Sequence, residues 1–253
     1  MAKMVCVVSV QEKPRLKNPV LIEGLPGIGF VANIAALHLI RELKANPFAE
    51  IRCSSFQDFA VTTEKGKPRH PINELYYYKG KEKERDLIIL YGNTQALTTT
   101  GQYELCGRIL DISKELGCRY VITLGGFKKE QEVHKPKLYF AATDKELVSE
   151  LLEIGAEIIK GQIFGAAGLL VGIGKLRGFR GFCLLAETLG VYPDRVATQE
   201  ILKVVCDMLD LKVNIDNLAD TVETTRDLLE NFGLIDHSLK EKRKEESQFR
   251  WFI

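Results

Sequence analysis

The chain has 253 residues, enough for one large core or two small ones. Its 35 Lys and Arg against 34 Asp and Glu leave a net charge of +1. That balance removes the electrostatic case for nucleic acid or an anionic membrane as the main partner.

In chain order, Met1-Ala2-Lys3-Met4-Val5 runs straight into a β-like segment, with neither the apolar core nor the cleavage site of a signal peptide, so the expected location is the cytoplasm. The pattern predicts strands at Met4–Val10 and Val20–Glu23 and a helix over Gly27–Leu43, whose apolar positions include Ile28, Val31, Ile34, Leu39 and Leu43. Further strands are predicted at Phe59–Thr63, Leu75–Tyr78 and Leu87–Tyr91, with turn chemistry at Lys65-Gly66-Lys67-Pro68. A helix over Gln102–Leu116 and a strand over Tyr120–Leu124, ending at Gly125-Gly126, complete a strand, helix, strand unit. The continuous apolar run Leu87-Ile88-Ile89-Leu90 fits a parallel strand covered on both faces.

The second half is richer in helix: Asp144–Glu153, the segment after Gly165, Arg195–Leu209 and Leu218–Phe232, with one strand at Gly178–Ala186. The longest apolar run, Ile163 to Ile173, is about half the ~20 residues that span a bilayer, and it reads as a buried helix. The expected architecture is one three-layer α/β/α domain over residues 1–235, with a mostly parallel sheet and extra C-terminal helices, followed by a charged helical tail over 236–253.

Gly24-Leu25-Pro26-Gly27-Ile28-Gly29 follows a strand and opens a helix. Backbone N–H groups of Gly24, Gly27 and Gly29 are therefore candidates to hold an anion, although tight packing explains the same glycines. The segment is neither the dinucleotide fingerprint nor a nucleotide P-loop. No metal site is expected, because His38, His70, His134 and His237 stand singly and the six cysteines show no C-x-x-C pair. Those cysteines read as buried small apolar residues of a reducing cytosol, unless the source is a hyperthermophile, where intracellular disulfides are common. No local base marks Cys106 or Cys183 as a nucleophile, and no cofactor or catalytic residue is implied. Tyr76-Tyr77-Tyr78 on a strand would turn one or two rings outward, as edge protection or a subunit contact.

The chain closes on Phe249-Arg250-Trp251-Phe252-Ile253, which contains its one tryptophan, after the charged run Lys240 to Glu246. Inert termini are normally polar, so Phe249, Trp251, Phe252 and Ile253 are candidates for docking into another protein. The alternative is packing on the same subunit or a neighbouring copy. A helix over 238–250 would make a stalk of roughly 20 Å.

Four motifs in order, Ile22-Glu23-Gly24-Leu25-Pro26-Gly27-Ile28-Gly29, Thr123-Leu124-Gly125-Gly126, Gly165-Ala166-Ala167-Gly168-Leu169-Leu170, and Ala186-Glu187-Thr188 with Tyr192-Pro193-Asp194, resemble the proteasome assembly chaperone family, its archaeal members in particular. The resemblance covers roughly residues 4–235. It implies a phosphorylase-like three-layer α/β/α fold, a homo-oligomer such as a tetramer or pentamer, no catalysis, and binding to α-subunits of the proteasome core particle. It also gives the tail a role, since Trp251-Phe252-Ile253 looks like the hydrophobic-tyrosine-any ending of proteasome activators, with phenylalanine in the middle. In that mode the terminal carboxylate pairs with a lysine between adjacent α-subunits while two side chains fill apolar walls. The alternative function is a phosphate- or nucleoside-processing enzyme on the same scaffold, with the Gly24–Gly29 turn holding the anion.

Overall fold

The computed structural model describes residues 6–62, 66–131 and 134–231. Strand β1 (Cys6–Val10) is followed by β2 (Val20–Gly24) and by a short 3-10 turn (Ile28–Phe30) that leads into helix α1 (Val31–Glu42). Next come β3 (Asn46–Cys53), β4 (Val61–Thr62), β5 (Pro68–Arg69), β6 (Asn73–Tyr78), β7 (Leu87–Gly92) and α2 (Thr99–Glu115). The order continues through β8 (Tyr120–Lys128), β9 (Leu138–Ala142), α3 (Lys145–Glu153), β10 (Glu157–Ile158), α4 (Gly165–Leu176), β11 (Arg180–Thr188), α5 (Arg195–Met208) and α6 (Leu218–Asn231).

Nine of these strands form one sheet in the order β1-β3-β6-β7-β2-β8-β11-β9-β10. The centre, β7-β2-β8-β11, is parallel throughout. Antiparallel wings flank it: β6, β3 and β1 on one side and β9 on the other, with β10 parallel to β9. The sequence dictates this division. All five residues of β2 are buried, as a strand covered on both faces requires.

Side chains alternate across the strand. Val20 and Ile22 join the apolar core that α1, α3, α5 and α6 also enter, whereas Leu21 joins the one shared with α2 and α4. Ile89 and Ile122 repeat the first direction, and Ile88, Leu90 and Val121 the second. Two apolar cores on opposite faces of one sheet make the chain a three-layer α/β/α protein. Each buried Leu or Ile contributes about 1.5–3 kcal/mol relative to its exposed state, so these two layers dominate the driving force for folding.

The structure corrects several sequence expectations. The helix predicted from Gly27 starts at Val31, because Gly29 and Phe30 have positive φ of 65° and 53° and form a separate turn. The strand predicted to stop at Gly125-Gly126 runs on to Lys128. Among the described residues of the predicted Phe59–Thr63 strand, Val61–Thr62 is realised, in a two-stranded ribbon with Pro68–Arg69. The tyrosine strand β6 lies inside the sheet between β3 and β7, not at an edge. Tyr78 is buried there and Tyr77 packs edge-on against Phe48. Strands β3 and β9 were not expected. In β3, Pro47 sits beside a register shift, a position where a strand tolerates proline, although in sequence a proline reads against an interior strand.

Of the six cysteines, Cys106, Cys118, Cys183 and Cys206 are buried and free, as the reading as small apolar residues requires. Cys6 and Cys53 are instead joined in a disulfide across the β1–β3 pair, their Cα atoms 4.1 Å apart. His38 is buried in α1. Its Nδ1 lies 3.0 Å from Thr221 Oγ1 and its Nε2 2.9 Å from the Asn214 carbonyl, so the ring ties α1 to α6 and the segment before it. Among the described residues no helix is long and apolar enough to cross a membrane. The apolar run after Ile163 belongs to α4, which has 12 residues.

Candidate functional site

The four sequence motifs are far apart along the chain but meet at the carboxyl edge of the parallel strands. The Gly24–Gly29 turn leaves β2, Gly125-Gly126 belongs to β8, Gly165 opens α4, and Thr188–Asp194 joins β11 to α5. Their glycines have steric reasons. A Cβ on Gly126 would lie 2.3 Å from the Ile28 carbonyl oxygen, and one on Gly24 would lie 2.1 Å from the Ala36 Cβ. Gly29 has φ +65°, and a Cβ there would meet Thr188 Oγ1 at 2.7 Å. Gly27 differs, since a Cβ at this position has nothing within 4 Å.

Polar groups lock the convergence. Thr188 Oγ1 donates to Asp194 Oδ2 at 2.6 Å and accepts from Gly190 N at 3.1 Å. Asp194 caps α5 by accepting from Ala197 N at 3.0 Å, while its own N–H donates to the Gly29 carbonyl at 2.9 Å. Gln95, just past β7, does the same on the other side. It donates from Nε2 to the Pro26 carbonyl at 2.7 Å, and its Oε1 accepts from Ala166 N at 3.0 Å and from Gln102 Nε2 at 2.7 Å. One amide thereby joins the β2 turn, α2 and the first turn of α4.

Between these loops lies a cavity of about 420 Å³, with Glu23 in its wall. Alternation along β2 sends Glu23 to the same side as Leu21, toward α2 and α4. It is only 1% exposed. Its Oε1 accepts from Leu25 N at 2.9 Å, and its Oε2 has no hydrogen-bond partner. Burial pushes the carboxyl up from 4.5 to about 7, with the backbone N–H groups of Leu25 and Leu124 pulling the other way. The site therefore holds a group that can donate or release a proton near neutrality. No thiol beside it is reactive. Burial raises Cys106 and Cys183 to about 12, with the Glu23 charge adding to the rise in both.

In the sequence Glu23 stands within a glycine-rich motif that gives it no role of its own. The available signal was a carboxylate at the end of a fully apolar strand, Val20-Leu21-Ile22-Glu23, where no solvated face exists. The packing contacts give Gly24 and Gly29 structural duties, and Glu23 in its ionised form would repel an anion brought to this turn. Phe249, Trp251, Phe252 and Ile253 lie outside the described residues, so the docking candidates have no placement here. Among the described residues no group of three or more His, Cys, Asp and Glu side chains could hold a metal ion.

The family model described as the PAC2 family matches residues 21–232. The chain is similar to Pyrococcus furiosus PbaB, described as an archaeal proteasome activator. The two are 37% identical with a TM-score of 0.80, covering 90% of this chain and 98% of that one. It is also similar to Pyrococcus furiosus PbaA, described as an archaeal homolog of proteasome-assembly chaperone, at 27% identity and a TM-score of 0.72, over 89% of this chain and 95% of that one. An uncharacterized protein of Methanocaldococcus jannaschii is 37% identical over 83% of this chain and 81% of its own length. With the family model spanning both apolar cores and all four converging motifs, the chain belongs to the PAC2 family.

Proposed function

We propose that this protein is an ATP-independent proteasome-binding factor, an assembly chaperone or activator, that docks a C-terminal hydrophobic-aromatic motif into pockets of the core particle's α-ring. The observation that carries the reading is the 37% identity to an archaeal proteasome activator over 90% of this chain. The ending Trp251-Phe252-Ile253 supports it with a matching chemistry: an apolar anchor, an aromatic ring and a terminal carboxylate. Phe252 lacks the hydroxyl of a tyrosine, which forgoes a hydrogen bond of about 0.5–1.5 kcal/mol. A single tail then binds weakly, and a homo-oligomer restores affinity by presenting several tails at high effective concentration.

The test is capture of purified core particles by the full-length protein and by a variant lacking 251–253. Truncation should abolish capture while native mass spectrometry shows the same oligomer. Undiminished capture would sink the docking mode, and dissociation of the oligomer would assign the tail to self-assembly instead. Phe252→Tyr should tighten binding roughly twofold to tenfold, as the restored hydrogen bond predicts. Peptide hydrolysis without ATP then separates an activator from a factor that only binds. The enzymatic alternative has less behind it, since the thiols near the cavity are held protonated and Glu23 in its ionised form opposes a phosphate in the Gly24–Gly29 turn.

A further inference from the structure

The cavity at the carboxyl edge of the sheet is unused by a docking mechanism that resides in the tail. Its volume of about 420 Å³ falls within the range of small-molecule sites, roughly 300–1,000 Å³. Its walls are mainly apolar: Leu25, Leu124, Ile163, Ala167 and Leu185 surround it. Its position also fits the rule for open α/β sheets. Adjacent strands β2 and β7 lead to α1 and α2, which pack on opposite faces, and the crevice outside such a divergence is where these sheets bind ligands.

The decisive group is Glu23. A buried carboxyl oxygen without a hydrogen bond is uncommon in native proteins and calls for a reason. Here Oε2 is orphaned, and the Glu23 side chain forms part of the cavity wall. Lys128 also lines the cavity but does not neutralise Glu23. Glu23 pairs with Thr123 in the ladder, and Lys128 lies five positions further along β8, roughly 16 Å at the rise of a strand, where it is exposed. The Gln95 amide is committed to Pro26, Ala166 and Gln102, and Gln162, which also lines the cavity, is exposed. At the rim Phe164 is 82% exposed although it lines the cavity, a large ring left in water at the mouth.

We propose that this cavity binds a small molecule with an apolar body and a hydrogen-bond-donating nitrogen, an amine, amidine or amino-heterocycle, whose N–H groups satisfy Glu23 Oε2. The carboxyl accepts from the nitrogen, the apolar body fills the space between β8 and α4, and Phe164 covers the entrance. Above pH 7, where this carboxyl is ionised, it also disfavours anionic ligands. The inference is independent of the proteasome reading, and either can fail alone.

The test is calorimetric titration and thermal melting of the full-length protein at pH 8, where Glu23 is ionised, with benzamidine, benzylamine and adenine, against benzoate and benzyl alcohol as matched probes without a nitrogen donor. At least one nitrogen probe should bind at one site per chain, and benzoate should not bind. Glu23→Gln should weaken that probe tenfold or more. Gly27→Val, which adds a side chain where nothing lies within 4 Å, should weaken it as well while leaving the carboxyl in place. The proposal is overturned if no nitrogen probe binds at millimolar concentration, if benzoate binds as well, or if both variants bind like the parent.

Discussion

Glu23 is the residue at which the chain departs most from the rules that built the rest of it. A carboxyl in the centre of a sheet loses hydration, and that loss outweighs the backbone N–H groups of Leu25 and Leu124, which favour the charged form, so its neutral form is favoured. In the unfolded chain it ionises near 4.5, whereas in the native state it ionises near 7. Between those values the native state retains a proton that the unfolded state has released, so this group's contribution to stability is full below 4.5 and declines as pH rises to about 7. The span corresponds to about 3 kcal/mol. His38 works in the opposite direction: burial lowers its pKa, so its contribution is lost as pH falls below the ordinary value of 6.5. Comparing Glu23→Gln with the parent isolates the first effect. The stability of the variant relative to the parent, from urea unfolding, should rise by about 3 kcal/mol between pH 4.5 and pH 8. A constant difference across that range would show that Glu23 titrates normally.

At the scale of elements, the carboxyl edge is held by backbone approaches that only glycine permits. The turn between β2 and α1 lies directly over β8, and a Cβ on Gly126 would come within 2.3 Å of a carbonyl oxygen that cannot swing aside as a flexible side chain would. Gly126→Ala should therefore cost about 1–3 kcal/mol, read as a lower denaturation midpoint. Gly27→Ala, with open space around its Cβ, should stay within about 0.5 kcal/mol of the parent. Equal effects at the two positions would remove the steric account. The contrast also marks the limit of what the motif said. The sequence located a glycine-rich strand-to-helix turn correctly, but 24, 27 and 29 looked alike there. Their partners are Ala36, open space and Thr188, and those are set by how α1 and β11 pack against the sheet.

Across the whole molecule, the parallel centre is secured by two apolar layers, while the outermost wing depends on a covalent link. Among the described residues strand β1 pairs with β3 alone, and two of its five residues, Val7 and Val10, are about half exposed. The Cys6–Cys53 disulfide closes a span of 47 residues and ties that strand to the sheet. Such links contribute typically 2–4 kcal/mol, so replacing both cysteines by serine should lower the melting temperature measurably under oxidising conditions. Under reducing conditions the parent should fall to the level of the variant. If the parent melts identically with and without reductant, the bridge contributes nothing to stability.

The sequence by itself determined the elements and the layers. Continuous apolar runs can be satisfied only by strands covered on both faces, and amphipathic helical periods supply the covers, so β2, β7, β8 and most of the helices were legible. The wing strands β3 and β9 were not, because the proline in β3 reads against an interior strand and the five-residue run of β9 is too short for its period to show. Only the tertiary structure decided that four distant glycine motifs share one edge, that Cys6 faces Cys53 across a strand pair, and that Glu23 borders a cavity with an unpaired oxygen. The reason is that local sequence fixes periodicity, whereas burial and proximity depend on which strands become neighbours, and that ordering is set by packing across the whole sheet.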